Sequence, residues 1–317
     1  MIKDWLRHLA RIYMPVYKIE SETLKIIYAG YSPIKKNYYS RLLLSGSNRK
    51  TFLGRYWFKK ILNLFSESDV DFIFSEISPN TFNYFRNCSG FIIPVWATTC
   101  IDIGKPLAEI IKSNATDFPN VLRRIRKFNL TYEILTGEEN YIFFRERFYQ
   151  PYISRRHGDE AYIENLDEIW KETPTPFFMA VKENGITVGM SLLRKDGDHL
   201  YLRRVGLIDG DEEYRYHGVI GAFYYFAIVE GQKLGCRLFD LGGTRPFLSD
   251  GLTKYKLGLG AEFVIKLSPE KEYIWFGFNN KSVASLEVLK KNPFICVDYD
   301  FNLIKHNLPD PDLRDSN

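Results

Sequence analysis

The segment that most restricts the fold is Phe239-Asp240-Leu241-Gly242-Gly243-Thr244-Arg245, continuing through Ser249-Asp250-Gly251 and Lys254-Tyr255-Lys256 to Gly260-Ala261. It reads as a short apolar strand running into two glycines, then a polar and basic loop, then a Lys/Tyr segment closed by another glycine. Paired glycines let backbone amides approach a ligand without Cβ atoms in the way, and they permit positive φ where the chain turns. Arg245, Lys254 and Lys256 put positive charge around that opening. The combination suits an anionic or carbonyl-bearing substrate better than a plain structural turn.

The elements before this segment are legible from their spacing. Asp117 and Pro119 stand where an N-cap and a first turn belong, and Val121, Leu122, Ile125 and Phe128 follow at helical intervals. Arg123, Arg124, Arg126 and Lys127 form the opposite face, read either as a solvated surface or as a contact for nucleic-acid phosphates. A second helix runs from 138 to 156, kinked or divided at Pro151 and stopped at Gly158. A meander follows: strand 177–182, a two-residue turn at Asn184-Gly185, strand 186–194, a turn at 196–198 and strand 199–207. Helix 218–233 is apolar on most faces and so buried, with Gly235 past its end. Strand 237–241 comes next, and two late strands at 263–267 and 273–278 are expected to finish the sheet. The first hundred residues give strands at 24–29, 70–77 and 91–96 and a helix at 55–65, an α+β pattern without a phosphate loop.

A length of 317 residues favours two domains or one large one. The net charge of +4 argues against bulk nucleic-acid binding, so DNA is not an expected partner, but it leaves room for local basic patches. The four cysteines are scattered without a C-x-x-C pair, which disfavours a structural metal or a disulfide framework and makes a reducing cytoplasm the default location. No run reaches the ~18 apolar residues needed to cross a bilayer. Residues 1–17 lack the apolar core of a signal peptide and read as a basic amphipathic helix that packs on its own domain. Peripheral membrane contact is the alternative. Residues 308–317 read as a frayed end.

The element order resembles that of the GNAT acyltransferases. Three segments, Asp117 to Lys127, Phe148-Tyr149-x-Pro151-Tyr152 with Arg155-Arg156-His157-Gly158, and Phe239 to Gly260, resemble the FemAB-like branch of that superfamily. That branch comprises peptidoglycan-bridge aminoacyltransferases and relatives linked to cellulose and exopolysaccharide synthesis. The resemblance covers roughly 103–264. It implies an α+β chain with a mixed, mainly antiparallel sheet flanked by helices, in two tandem GNAT-like domains. Residues 1–112 would be a divergent copy and 113–317 the acyltransferase domain. It implies transfer of an acyl or aminoacyl group to an amine or hydroxyl of a cell-envelope, polysaccharide or small-molecule acceptor, with acyl-CoA or aminoacyl-tRNA as donor and no tightly bound cofactor. Two departures stand out. The GNAT pyrophosphate loop is written Q/R-x-x-G-x-G/A, whereas Arg215-Tyr216-His217-Gly218-Val219-Ile220-Gly221 has one residue too many before its second glycine. The long charged helical arm of some bridge-forming members is absent from the sequence.

Direct transfer needs a deprotonated nucleophile, donors for the developing oxyanion and alignment of both substrates. The resemblance and the residues together nominate Asp240, Lys256 and His217 as catalytic. Tyr201, Arg203, Gly242, Gly243, Arg245 and Lys254 are nominated to contact substrate, and Arg215, Gly218 and Gly221 to contact a coenzyme; no metal site is expected. Plainer readings stand beside these. Asp240 could cap backbone amides at the strand end, Lys256 could be a solvated helix lysine, and Arg245 could pair with Asp250. Asp250 reads as a helix N-cap. Arg203 and Arg204 should point to opposite faces of their strand, and His157 and His217 are the histidines nearest the motifs. The competing function is a non-catalytic binding module for a glycan, a peptide or a tRNA end.

Overall fold

The computed structural model describes residues 13–306 except 45, 68, 89, 114–116, 159–165, 173–174, 270 and 299. The expected helix over 1–17 lies largely outside that range, as does the frayed end at 308–317, but the part from Tyr13 onward is a strand. The chain divides into two compact units. One takes the residues up to Ala97, then Thr244–Lys254 and those from Val264 on; the other takes Thr98–Gly243 and Tyr255–Phe263. The C-terminal segment thus joins the first unit, not the second as the 113–317 boundary supposed.

The first unit opens with β1 (Tyr13–Glu20), β2 (Lys25–Ala29), α1 (Pro33–Leu43), β3 (Arg49–Trp57), α2 (Phe58–Glu67), β4 (Phe72–Ile77), α3 (Pro79–Arg86) and β5 (Phe91–Pro94). The second begins with β6 (Ala97–Asp102), α4 (Leu107–Ser113), α5 (Phe118–Lys127) and β7 (Leu130–Leu135). Then come α6 (Glu138–Phe143), a π-helical turn at Phe144–Tyr149, α7 (Gln150–His157) and α8 (Leu166–Glu172). The meander is β8 (Pro176–Glu183), β9 (Ile186–Asp196) and β10 (His199–Leu207), followed by α9 (Glu213–His217), α10 (Val219–Lys233), β11 (Leu238–Thr244), α11 (Gly251–Gly258) and β12 (Glu262–Phe263). The chain returns to the first unit with β13 (Tyr273–Phe278), α12 (Val283–Lys291), β14 (Phe294–Val297) and β15 (Leu303–His306).

Local chemistry accounts for most of these elements. Asn184 and Gly185 both have positive φ, 49° and 86°, as the two-residue hairpin requires. Gly158 caps α7 with φ 52°. Pro151 cannot donate to a carbonyl four residues back, and the wider π turn immediately before it absorbs the mismatch. Three expectations fail. Residues 49–57 form an edge strand, not the start of a helix at 55, because pairing with β1 along eight residues outweighs the helical spacing of Tyr56 to Leu64. The alternating Leu130, Tyr132 and Ile134 form β7, a strand that the sequence reading missed. Finally, β13 does not extend the second sheet: it inserts between β4 and β5 in the first, and only β12 adds to the second.

The two sheets share a central arrangement but not their full connectivity. The first runs β3-β1-β2-β4-β13-β5 and the second β8-β9-β10-β11-β6-β12, with β7 added outside β8. In each, an antiparallel hairpin (β1–β2, β9–β10) is followed by a parallel neighbour (β4 to β2, β11 to β10). The fold is therefore α+β with two mixed, mainly antiparallel sheets. Each sheet takes one strand from outside its own run: β13 from the chain's end and β6 from before α4. Helix α10 lies over the second sheet, with Ala222, Phe223 and Ile228 inaccessible to solvent beside Leu193, Leu200 and Phe239.

Candidate functional site

The parallel pairs in the two sheets differ where a site would form. In the first sheet the β2–β4 ladder holds from Ile26–Phe72 to Ala29–Ser75, nearly the whole of β2. The next β4 residue, Glu76, is buried and accepts from the Tyr28 hydroxyl at 2.6 Å and the Ser32 amide at 2.9 Å. That junction is closed by the protein's own carboxylate. In the second sheet the β10–β11 ladder covers only His199–Leu238, Leu200–Phe239 and Tyr201–Asp240, although β10 continues to Leu207 and β11 to Thr244. The ladder ends at Asp240, with the Leu202 backbone oxygen still 3.6 Å from where a Cβ on Gly242 would stand.

The glycines explain why. Gly242 has φ +77°, a conformation that L side chains rarely adopt. This curl turns three successive carbonyls, which would alternate in an extended strand, toward one ammonium. Lys256 Nζ donates to the oxygens of Leu241, Gly242 and Gly243 at 2.8, 3.2 and 2.8 Å. Lys256 is only 3% exposed. Thr99 on β6 adds a hydroxyl to the Gly242 carbonyl at 3.3 Å. In a planar trans peptide the next N–H points opposite to the carbonyl. The Gly243 N–H is therefore directed away from the Thr99 hydroxyl and the Lys256 ammonium that share the Gly242 carbonyl.

Asp240 sits at the last paired position, and its Oδ1 accepts from the Gly242 amide at 2.6 Å. This holds the curl from the other side and fixes the carboxylate in one orientation. Tyr201, its ladder partner, lies beneath the Arg194 guanidinium at 4.5 Å and has its hydroxyl 3.4 Å from His199 Nδ1. Arg203 is exposed and occupies a bulge, since the β9 register skips it between Leu202 and Arg204. Simple alternation of Arg203 and Arg204 is therefore broken, and Arg204 instead donates to the Arg203 carbonyl. Gly206, farther along β10, faces the π turn so closely that a Cβ there would lie 2.4 Å from the Phe148 carbonyl carbon.

Of the remaining nominees, His217 lies apart from Asp240. His217 bonds through Nδ1 to Glu183 at 2.9 Å and stacks on Phe128 with ring centres 4.0 Å apart. Pro176 is the β8 residue in register with Arg194, Tyr201 and Asp240. Glu183 ends the same strand about 23 Å farther on at ~3.3 Å per residue. Arg215 pairs with Glu212. The space beside the two nominated coenzyme glycines is filled: a Cβ on Gly218 would meet Arg124 at 2.7 Å, and one on Gly221 would meet Val121 at 2.8 Å and the Tyr255 hydroxyl at 3.1 Å. Their smallness lets α5 approach α10, a packing role that the glycine spacing alone could not distinguish from a phosphate cradle. His157 ends α7, and its side chain lies outside the described residues. Arg245 and Lys254 belong to the first unit. Lys254 is exposed on α11, and Asp250 caps that helix through the Leu252 and Thr253 amides at 3.0 and 3.2 Å, as expected. Thr99 was missed because nothing near it in sequence announces that β6 will lie beside β11.

Among the described residues no cluster of three His, Cys, Asp or Glu side chains has metal-binding geometry, and no helix is long and apolar enough to cross a membrane. No protein-family model matches the chain, and no curated protein does. Several solved structures are similar to it. They include FemX (TM-score 0.40, 14% identity, 86% of each chain covered) and L-PGS from Bacillus licheniformis (TM-score 0.40, 8% identity, 86% of this chain and 83% of that one). A GCN5-related N-acetyltransferase from Kribbella flavida is also similar (TM-score 0.33, 13% identity, 88% and 93% covered).

Proposed function

We propose that the second unit transfers an acyl or aminoacyl group directly to an amine or hydroxyl, in the gap that opens between β10 and β11. The observation that carries this reading is the early end of the β10–β11 ladder beside a curled glycine pair. An acyl carbonyl entering there meets the Gly243 N–H, a fixed donor for the oxyanion that forms on attack. Asp240 orients the acceptor and takes its proton. Collapse of the tetrahedral adduct expels the donor's ribose oxygen or thiolate, which recovers that proton. Lys256 and Thr99 act on the backbone, holding the curl, while Tyr201 and Arg203 border the gap. Because side chains fill the space beside Gly218 and Gly221, an aminoacyl-tRNA donor fits this reading better than acyl-CoA. A cell-envelope or polysaccharide amine or hydroxyl is the acceptor it implies.

Asp240→Asn is the discriminating variant. Asparagine keeps the Oδ1 acceptor for the Gly242 amide, so melting should stay within about 2 °C of wild type while transfer falls by roughly 10²–10⁴-fold. Asp240→Ala also removes the acceptor and should lose about 0.5–1.5 kcal/mol of stability besides. Transfer is read with labelled aminoacyl-tRNA and, separately, labelled acyl-CoA against amine and hydroxyl acceptors. Undiminished turnover in Asp240→Asn would remove the assignment.

A further inference from the structure

Arg245 follows the glycine pair in sequence but belongs to the first unit, where its surroundings pose a separate question. Its guanidinium lies 4.3 Å from the centre of the Tyr38 ring and 3.8 Å from that of Trp96. Among the described residues it makes no hydrogen bond and no ion pair. The group carries five donors in a planar fork, and burial lowers its affinity for its own proton. Beside it, the Tyr38 and Tyr39 hydroxyls are both shielded from solvent; that of Tyr39 has no hydrogen-bond partner among the described residues, and that of Tyr38 faces the Asp250 carboxylate. Tyr39 itself is 1% exposed. The rings of Tyr38 and Tyr39 are 5.2 Å apart, and each hydroxyl is electrostatically coupled to Arg245.

Arg41 adds a second guanidinium within electrostatic range of Arg245; the carboxylates in range are Asp250, beside Arg245 and Tyr38, and Glu76 and Glu272, on the side of Tyr39. The Asp250 carboxylate is engaged in capping α11. The Arg245 backbone is fixed, since the Thr253 hydroxyl donates to its carbonyl at 3.0 Å. Buried donors are normally satisfied; here the buried Tyr39 hydroxyl lacks an acceptor beside a half-buried guanidinium that makes no hydrogen bond to the described residues. A guanidinium fork with flanking hydroxyls matches the oxygens of a carboxylate or a phosphate.

We propose that Arg245, Tyr38 and Tyr39 form an oxyanion-binding site in the first unit that takes a carboxylate or phosphate group. It does not depend on the acyl-transfer reading, because none of these residues belongs to the second unit. The test is titration of the full chain with inorganic phosphate and, in parallel, with acetate, each against chloride at equal ionic strength, read by calorimetry and by melting temperature. Saturable binding of phosphate, acetate or both supports the site, and the stronger arm identifies the group. Arg245→Lys should weaken binding about tenfold or more, since lysine keeps the charge and loses the fork. Tyr39→Phe covers the case in which that variant folds poorly. It removes an unsatisfied hydroxyl, so the melting temperature without anion should hold or rise while anion affinity drops several-fold. No saturable binding of either anion, or wild-type affinity in Tyr39→Phe together with a folded Arg245→Lys, would overturn the proposal.

Discussion

Lys256→Met will destabilise the protein by about 2–4 kcal/mol, a fall in melting temperature of roughly 5–15 °C for a unit of this size. Methionine fills the same volume but offers no donor, so the oxygens of Leu241, Gly242 and Gly243 lose an ammonium that now bonds all three. Each bond to a charged donor contributes about 1.5–3 kcal/mol, and relief from burying the ammonium offsets part of their sum. Thr99 can hold only the Gly242 carbonyl, so the curl should relax and transfer should fall with stability. A lysine acting only on substrate would behave differently: its methionine variant would lose activity at an unchanged melting temperature. Urea unfolding and turnover measured on one preparation separate the two cases.

Gly206→Ala should be almost as costly, at about 3 kcal/mol. The new methyl would lie 2.4 Å from the Phe148 carbonyl carbon, 2.6 Å from its oxygen and 2.7 Å from the Tyr149 nitrogen. All three are backbone atoms, and no rotamer change can move them aside. Either the π turn or the far half of β10 must shift, and the second movement alters the gap directly. The expected result is a melting temperature lower by roughly 6–12 °C with impaired transfer in the folded fraction. A variant that melts within 1 °C of wild type would show that β10 and the π turn do not meet as described.

Sequence spacing located most of the second unit because its signals are local. Asn184-Gly185 sets a hairpin whatever surrounds it, and the apolar run from Val219 announces a buried helix. The segment from Phe239 to Gly243 likewise marks itself as a strand that ends in a turn. The site was less legible where its parts come from distant sequence. Lys256 is marked by its sequence position as a site residue, but its bonding to three backbone carbonyls shows only once Gly242 is seen to curl them toward it. Nothing near Thr99 or Tyr38 hints at their neighbours, since these contacts depend on sheet order. The same holds for β13, whose apolar sequence fits either sheet; its place between β4 and β5 is decided by long-range pairing. Arg215 to Gly221 shows the converse, a local pattern suggestive of a phosphate loop whose glycines serve helix packing.

The most direct examination of the gap is to label the backbone with nitrogen-15 and follow the Gly242 and Gly243 amide resonances while a non-hydrolysable aminoacyl-tRNA analogue is added to Asp240→Asn and wild-type protein. If an acyl carbonyl occupies the space where β10 and β11 separate, the Gly243 amide proton should shift downfield and gain protection from exchange, and Gly242, already bonded to residue 240, should change little. An analogue that binds tightly while leaving Gly243 unmoved would contradict the account.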